Sequence, residues 1–202
     1  WEYEGVCDFD TLDGLPSQEA FDRDYWGRRP VLIRNVTRAW PAFGRWRKRA
    51  LWERLSASGP ETWNISHFRG KGAGKWEHLW VRNMSLRHFL CHQICEPAVG
   101  FDQEYVFDRD GWNSSMPWLG EDAWVHFPPL AAHYDADWHE RWSRYLLVSA
   151  SGSGINFHFH TDAYNGLVYG RKRWFLYGPG TPPPSRDAGS LEWLPPAYPP
   201  GG

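Results

Sequence analysis

The chain has 202 residues, enough for one domain with a substantial hydrophobic core. It carries 22 basic and 24 acidic residues, a net charge of −2, with no basic stripe, which argues against a nucleic-acid-binding surface. No uninterrupted apolar run approaches the roughly 20 residues that a membrane-spanning helix needs, so we expect no membrane span in this segment.

Helices and short strands alternate through the first half of the chain. N-cap residues, apolar periodicity and Gly/Pro breaks predict these elements: a helix over 16–26 capped by Ser17, a strand from Val31 to Ile33, a helix over 45–56, a strand near Trp63–Phe68, a helix from the cap Ser85 to about Ile94, and a short strand at Tyr105–Phe107. Residues 108–142 are rich in Trp, Pro, Asp and His but show little periodicity, so we expect an ordered loop there.

Strand signals dominate from Arg144 onward. Four strands are predicted, at Tyr145–Val148, Ile155–His160, Leu167–Tyr169 and Trp174–Tyr177. Short strands at this spacing are typical of a sandwich or barrel. Because helices precede them, we expect a mainly β fold with helices (α+β), in which a helical layer lies N-terminal to the barrel.

Asparagine usage bears on the cellular compartment. Four of the six Asn residues begin N-x-Ser/Thr sequons, a larger share than random placement would give: Asn35, Asn64, Asn83 and Asn113. The excess favours glycosylation, and with it the endoplasmic reticulum lumen or secretion. Asn113 lies in a polar loop and is the best acceptor, whereas Asn35 and Asn64 lie in strand-like runs where we expect burial.

The three cysteines form an odd set, Cys7, Cys91 and Cys95. Cys91 and Cys95 share a face of a predicted helix with two histidines, which is one spacing that metal sites use. No CxxC knuckle accompanies them, so we favour a lumenal disulfide or simple packing over a metal.

The segment Phe-His-Phe-His-Thr-Asp at 157–162 contains the most informative chemistry. Alternation along a strand puts His158 and His160 on one face, and Asp162 adds a carboxylate two residues later. Two imidazoles and one carboxylate suit a redox-active first-row metal and leave positions open for oxygen and a chelating cosubstrate. The cations at 171–173 could hold the far carboxylate of such a cosubstrate.

Residues 164–179 read Tyr-Asn-Gly-Leu-Val-Tyr-Gly-Arg-Lys-Arg-Trp-Phe-Leu-Tyr-Gly-Pro. An Asn, a short apolar strand, Gly-x-Lys-x-Trp, a second apolar strand and Pro follow a His-x-Asp pair. This order resembles the signature of the Jumonji-C family of iron(II)- and 2-oxoglutarate-dependent oxygenases. Residues 21–33, where an aromatic helix runs into Pro-Val-Leu-Ile, are similar to the start of that family's domain. The resemblance covers most of the chain and is strongest toward a lumenal branch of the family.

The resemblance implies a double-stranded β-helix, a cupin-like jelly-roll barrel. It implies one domain over 1–202, with a helical and strand part at 1–100 and barrel strands at 144–202. The family's distal His ligand lies on a later strand, so we expect the domain to be incomplete at its C-terminal end.

The resemblance also implies roles for individual residues. His160 and Asp162 match the metal-ligand pair, Lys172 matches the lysine that binds the C5 carboxylate of 2-oxoglutarate, and Asn165 matches an Asn near the cosubstrate. The spacing from His160 to the Gly-x-Lys motif is shorter than is usual in the family. Starting the motif at His158 improves the spacing but makes the pair His-Phe-His, so His158 is the alternative first ligand.

Three functional readings follow. The first is an iron(II)/2-oxoglutarate oxygenase of the protein-hydroxylase type in the secretory lumen, acting on a protein substrate. The second is a catalytically inactive lumenal member of the family that binds a protein partner or assists assembly, with 108–142 as its contact surface. The third, another cupin-type enzyme or sugar binder, is disfavoured by the Gly-x-Lys-x-Trp motif.

Overall fold

A computed structural model describes residues 8–57, 62–67, 79–91, 104–108, 117–123, 145–149, 157–158 and 163–183. Its helices are α1 (Gln18–Asp24), a 3-10 turn (Thr37–Ala39), α2 (Pro41–Arg45), α3 (Lys48–Ala57), α4 (Leu86–Phe89) and α5 (Pro117–Ala123). Its strands are β1 (Asp10–Asp13), β2 (Val31–Arg34), β3 (Thr62–His67), β4 (Leu79–Ser85), β5 (Glu104–Asp108) and β6 (Leu146–Ser149). No helix in these ranges is both long enough and apolar enough to cross a membrane.

The N-terminal unit is a parallel strand pair joined by α1. Asp10 of β1 lies opposite Val31 of β2, and the connection runs through the helix, as parallel strands require. The helix begins where the sequence predicts, because the Ser17 hydroxyl accepts a hydrogen bond from the Ala20 backbone N–H at 3.2 Å. Arg29 closes the unit through a 3.0 Å ion pair with Asp10.

The second sheet has four antiparallel strands in the order β4-β3-β5-β6. The predicted strands near Trp63–Phe68, at Tyr105–Phe107 and at Tyr145–Val148 are confirmed as β3, β5 and β6. In the β3–β4 pair, two of the sequon asparagines, Asn64 and Asn83, lie directly opposite each other in register. Strands β1 and β4 were not predicted.

The hydrophobic core lies where α4 and α5 meet β5. Phe89, Leu86, Val106 and Leu119 are almost completely buried there. Partly buried aromatic and aliphatic side chains from α3, β6 and neighbouring positions surround this cluster: Trp46, Leu51, Trp52, Trp118, Leu146 and Val148. Helix α4 begins after Ser85, as predicted, since that hydroxyl accepts the His88 backbone N–H.

Two helix predictions need correction. The helix expected over 45–56 is α3, which begins three residues later, at Lys48. Helix α2 was not predicted and precedes it, beginning at Pro41, a residue that suits a first helical turn. The loop expected over 108–142 contains α5, which begins at Pro117. A seven-residue helix has too little periodicity to stand out in the sequence, and its stability comes from packing Leu119 and Asp122 into the core.

The strands predicted at Leu167–Tyr169 and Trp174–Tyr177 are wrong in the described part of the chain, where residues 163–183 form neither helix nor strand. Alternating exposure persists over 163–169, as in an extended chain, and Gly170 turns the chain with a φ of +91°. We call 163–169 the first arm and 171–177 the second arm.

The strand predicted at Ile155–His160 is described only at 157–158, where no strand is formed. The described structure is therefore a mixture of helices and strands with a small antiparallel sheet.

Candidate functional site

The structure describes three of the five residues predicted for the metal and cosubstrate site. His158, Asn165 and Lys172 are described, while His160 and Asp162 lie outside the described residues. Among the described side chains, no group of three or more His, Cys, Asp or Glu residues is placed to hold a metal ion. The geometry therefore bears on the cosubstrate side of the predicted site.

The half-buried His158 lies close to the second arm in space. The ring of its neighbour, Phe157, packs edge-on against Tyr177, with centroids 5.3 Å apart and an interplanar angle of 81°. Edge-to-face contact at this distance is a favourable aromatic geometry. The fold thus brings the start of the His-containing segment beside the arm that carries Lys172.

Lys172 stands two residues after the turn at Gly170. Its ammonium nitrogen lies 4.3 Å from the centroid of the Trp174 ring, within the range of a cation–π contact. No carboxylate in the described part of the chain is within salt-bridge distance of it. Although the residue as a whole is exposed, neighbouring atoms desolvate the ammonium and lower the pKa of Lys172 below its ordinary value.

The first arm, which carries Asn165, is docked against the 3-10 turn and α2. The Thr37 hydroxyl donates a 2.8 Å hydrogen bond to the Leu167 carbonyl. The Tyr169 hydroxyl donates to the Phe43 carbonyl, and the Tyr169 and Phe43 rings stack with centroids 5.6 Å apart. The backbone of the first arm, which has no neighbouring strand among the described residues, thus finds partners on the 3-10 turn and α2, which we call the helical layer.

Gly166 sits at the closest approach of the first arm to the helical layer. Trp40 is only 5% exposed, and its indole covers Gly166 so tightly that a Cβ there would lie 2.4 Å from the ring. Asn165, the preceding residue, is exposed. Its backbone position is therefore set by packing at Gly166 and by the hydrogen bond at Leu167.

A buried carboxylate that the sequence analysis missed supports this helical layer. Asp122 of α5 is 0% exposed and accepts hydrogen bonds from Arg45 at 2.7 Å, Trp46 at 3.0 Å and Arg54 at 3.1 Å. The Arg54 guanidinium also lies 4.0 Å from the Trp118 ring centroid. A buried carboxylate needs such partners to offset its lost hydration. Asp122 therefore links helix α5 to three places in the chain: α2, the segment that follows α2, and α3.

Among the described residues, the cation at the lysine position of the motif is the group suited to a carboxylate. No described carboxylate lies within salt-bridge distance of Lys172. Charge-assisted hydrogen bonds from a partly desolvated cation are among the strongest that proteins make to carboxylates. The arrangement can bind and orient an anion at the second arm.

The sequons have different environments. Asn35 is exposed, which corrects the burial expected for it, because it follows β2 in the left-handed region at φ 65°. Its side-chain amide donates to an Asp13 carboxylate oxygen. Asn113 lies outside the described residues. Of the cysteines, Cys91 is free and exposed, whereas Cys7 and Cys95 lie outside the described residues.

Three known proteins, two of them named for a Jumonji-C domain, are similar to parts of this chain. It is 45% identical to human JmjC domain-containing protein 8 over 132 residues, 59% of this chain and 48% of that protein. It is 29% identical to Lysine-specific demethylase JMJ21 of Arabidopsis thaliana over 177 residues, 83% of this chain and 17% of that protein. The rat JmjC domain-containing protein 8 is 33% identical over 98 residues, 43% of this chain and 34% of that protein. The chain thus spans about half the length of the human relative and less of the others. No family profile matches the chain.

Proposed function

We propose that this chain is a Jumonji-C domain and that it forms part of an iron(II)- and 2-oxoglutarate-dependent protein hydroxylase of the secretory-pathway lumen, because it is similar to JmjC domain-containing proteins. The family is one of iron and 2-oxoglutarate oxygenases with a cupin-like jelly-roll fold. The hydroxylase type, the lumenal location and the closed barrel are our proposals for this chain.

Lys172 carries the proposal. It occupies the lysine position of the Gly-x-Lys-x-Trp motif, it is desolvated, and it has no acidic partner among the described residues. A lysine whose role is structural would be expected to pair with a carboxylate or to extend fully into water. Lys172 is exposed and has no acidic partner among the described residues, so its ammonium is available to a carboxylate from a ligand.

Each site residue then has a role. His160 and Asp162 would supply metal ligands, with His158 as the alternative first ligand. Lys172 would hold the C5 carboxylate of 2-oxoglutarate by charge, and Asn165 would donate its amide nearby. When bound, the iron and cosubstrate would supply the oxidising chemistry, in which O2 converts 2-oxoglutarate to succinate and carbon dioxide and a substrate C–H bond becomes C–OH. The aromatic side chains of both arms would exclude water from this centre.

The lumenal location and a protein substrate rest on different support. Four sequons stand among six Asn residues, and Asn35 is exposed at the end of β2. A glycosylated protein of the lumen meets other proteins in that compartment, and we propose one of these as the substrate or partner.

The deciding experiment measures iron- and 2-oxoglutarate-dependent release of succinate by the full-length protein, with the Michaelis constant for 2-oxoglutarate as the readout. Lys172→Met should raise that constant by about tenfold or more, because one charge-assisted pair is lost. Arg171→Met is the matched control, since it removes an exposed neighbouring cation. Equal effects of the two substitutions would contradict the assignment of Lys172.

A catalytically inactive binding protein is the second candidate. Several large apolar side chains of the two arms are more than one-third exposed: Leu167, Tyr169, Trp174, Leu176 and Tyr177. Such side chains can serve as anchors in a protein interface. Of the contact surface predicted at 108–142, α5 is described, and its Leu119 and Asp122 are buried, so they cannot contribute to binding. Absence of 2-oxoglutarate binding by the wild-type protein would favour this candidate.

A further inference from the structure

Trp174 is the residue that the described structure places against Lys172. In an extended arm successive side chains alternate faces, so residues 172 and 174 share a side while Arg171 and Arg173 take the other. The ammonium of Lys172 lies 4.3 Å from the indole centroid. Trp174 is itself 42% exposed, which is unusual for so large an apolar side chain in a protein that buries other tryptophans.

Packing does not explain this position of the indole. The cation–π contact with Lys172 is the interaction that the structure records for Trp174, and core residues such as Trp40 are buried by contrast. A free lysine side chain has many rotamers, and it loses this conformational entropy when its ammonium is fixed. The indole is therefore the group that orders this lysine before any ligand arrives.

An aromatic ring orders a cation without neutralising it. A carboxylate partner would occupy the positive charge and would have to be displaced by an incoming anion. A ring shields one side of the ammonium from water and leaves its N–H donors available on the other side. Desolvation of the ammonium, which lowers the pKa of Lys172, is consistent with this shielding.

We propose that Trp174 is a positioning residue for the cosubstrate: its indole holds the Lys172 ammonium ordered and partly dehydrated for the far carboxylate of a small dicarboxylate. This inference rests on the proposed function, because it takes 2-oxoglutarate as the dicarboxylate. It adds a residue that acts through Lys172 rather than by touching the ligand, and it predicts an effect on cosubstrate affinity alone.

The first test needs neither iron nor cosubstrate. The ring current of Trp174 should shift the ε-methylene proton signal of Lys172 upfield in the nuclear magnetic resonance spectrum, with Lys172→Arg used for assignment. The shift should shrink in Trp174→Phe and disappear in Trp174→Leu. Leu176→Ala, which removes an even more exposed apolar side chain two residues further along the same arm, should leave it unchanged. A signal that does not move in Trp174→Leu would overturn the contact and the proposal with it.

The second test measures the dissociation constant of 2-oxoglutarate by calorimetry with manganese(II) in place of iron. Trp174→Leu should weaken binding about two- to fivefold, the range for a cation–π contact at an exposed site, and Trp174→Phe should restore most of it. The turnover number at saturating 2-oxoglutarate should stay at the wild-type value. Full binding in Trp174→Leu beside weak binding in Lys172→Met would overturn the positioning role and leave the proposed function standing. A wild-type protein that binds no 2-oxoglutarate would overturn both.

Discussion

The indole of Trp40 lies directly on Gly166, so that the first arm and the helical layer meet at a residue without a side chain. A Cβ at Gly166 would lie 2.4 Å from one ring carbon of Trp40 and 2.7 Å from another, distances that real Cβ atoms do not show. Trp40 is nearly buried, so the ring has little room to retreat.

Gly166→Ala should therefore destabilise the protein by about 1–3 kcal/mol, the usual cost of overpacking a tight contact. Chemical denaturation would measure the loss. Gly178→Ala is the matched control, because no atom of the described residues lies within 4 Å of its added Cβ and the residue follows the second arm. If both variants unfold at the same denaturant concentration, the packing at Trp40 is not a constraint.

The carboxylate of Asp122 should be the most sensitive polar group in the described core. Asp122→Ala leaves Arg45 and Arg54 without their buried partner, and we expect a loss of about 3–5 kcal/mol or failure to fold. Asp122→Asn keeps the size and shape of the side chain and should reduce the free energy of unfolding less. Glu121→Gln, at an exposed neighbouring position, should unfold like the wild type. Thermal unfolding compares the three, and a wild-type midpoint for Asp122→Ala would contradict this account.

The lowered pKa of Lys172 predicts selective chemistry. Because desolvation disfavours the charged form, the amine becomes neutral at a lower pH than an ordinary lysine and reacts sooner with acylating reagents. At mildly alkaline pH, peptide mass spectrometry should find Lys172 modified ahead of Lys48, the first residue of α3. The same desolvation lowers the free energy of unfolding. This loss applies in full below the lowered pKa of Lys172 and is relieved as pH rises through that pKa. Equal modification of Lys172 and Lys48 would contradict the lowered pKa of Lys172.

The choice between metal ligands follows from two substitutions. If His160 and Asp162 are the ligands, Asp162→Ala should abolish iron-dependent turnover of 2-oxoglutarate, because the anionic oxygen that balances the charge of iron is lost. His158→Ala should then lower turnover only in part. Turnover that survives Asp162→Ala and disappears in His158→Ala would establish the His-Phe-His alternative. Binding of manganese(II), followed by paramagnetic resonance, gives a readout independent of turnover.

The lumenal proposal predicts N-linked glycosylation. Protein expressed through the secretory pathway should carry sugar at Asn113 at least, so enzymatic deglycosylation should lower its mass. Asn113→Gln should remove the part of that mass that the glycan at Asn113 contributes. Asn35→Gln tests the exposed site at the end of β2. A native protein without sugar at any of the four sequons would remove this support for the lumen.

Local chemistry made several elements predictable. Ser17 and Ser85 are N-caps whose hydroxyls satisfy backbone donors a few residues away, so both helix starts are visible in the sequence. Strands β2, β3, β5 and β6 contain β-branched and aromatic runs between breakers, which is equally local information. The resemblance to Jumonji-C proteins also rests on a short contiguous motif, and JmjC domain-containing proteins are among the relatives that the comparisons found.

The sequence by itself determined the resemblance to Jumonji-C proteins, the helix caps and the residue types that a metal and a dicarboxylate would need. Only the tertiary structure decided that Asp122 meets Arg45 and Arg54, which lie 77 and 68 positions away, and that the first arm docks on α2 through contacts more than 120 positions apart in the chain. Only the tertiary structure, too, showed that the two arms do not join the described sheet. An extended run becomes a strand only when another backbone lies at hydrogen-bonding distance, and at Leu167 the backbone carbonyl instead accepts from the Thr37 hydroxyl.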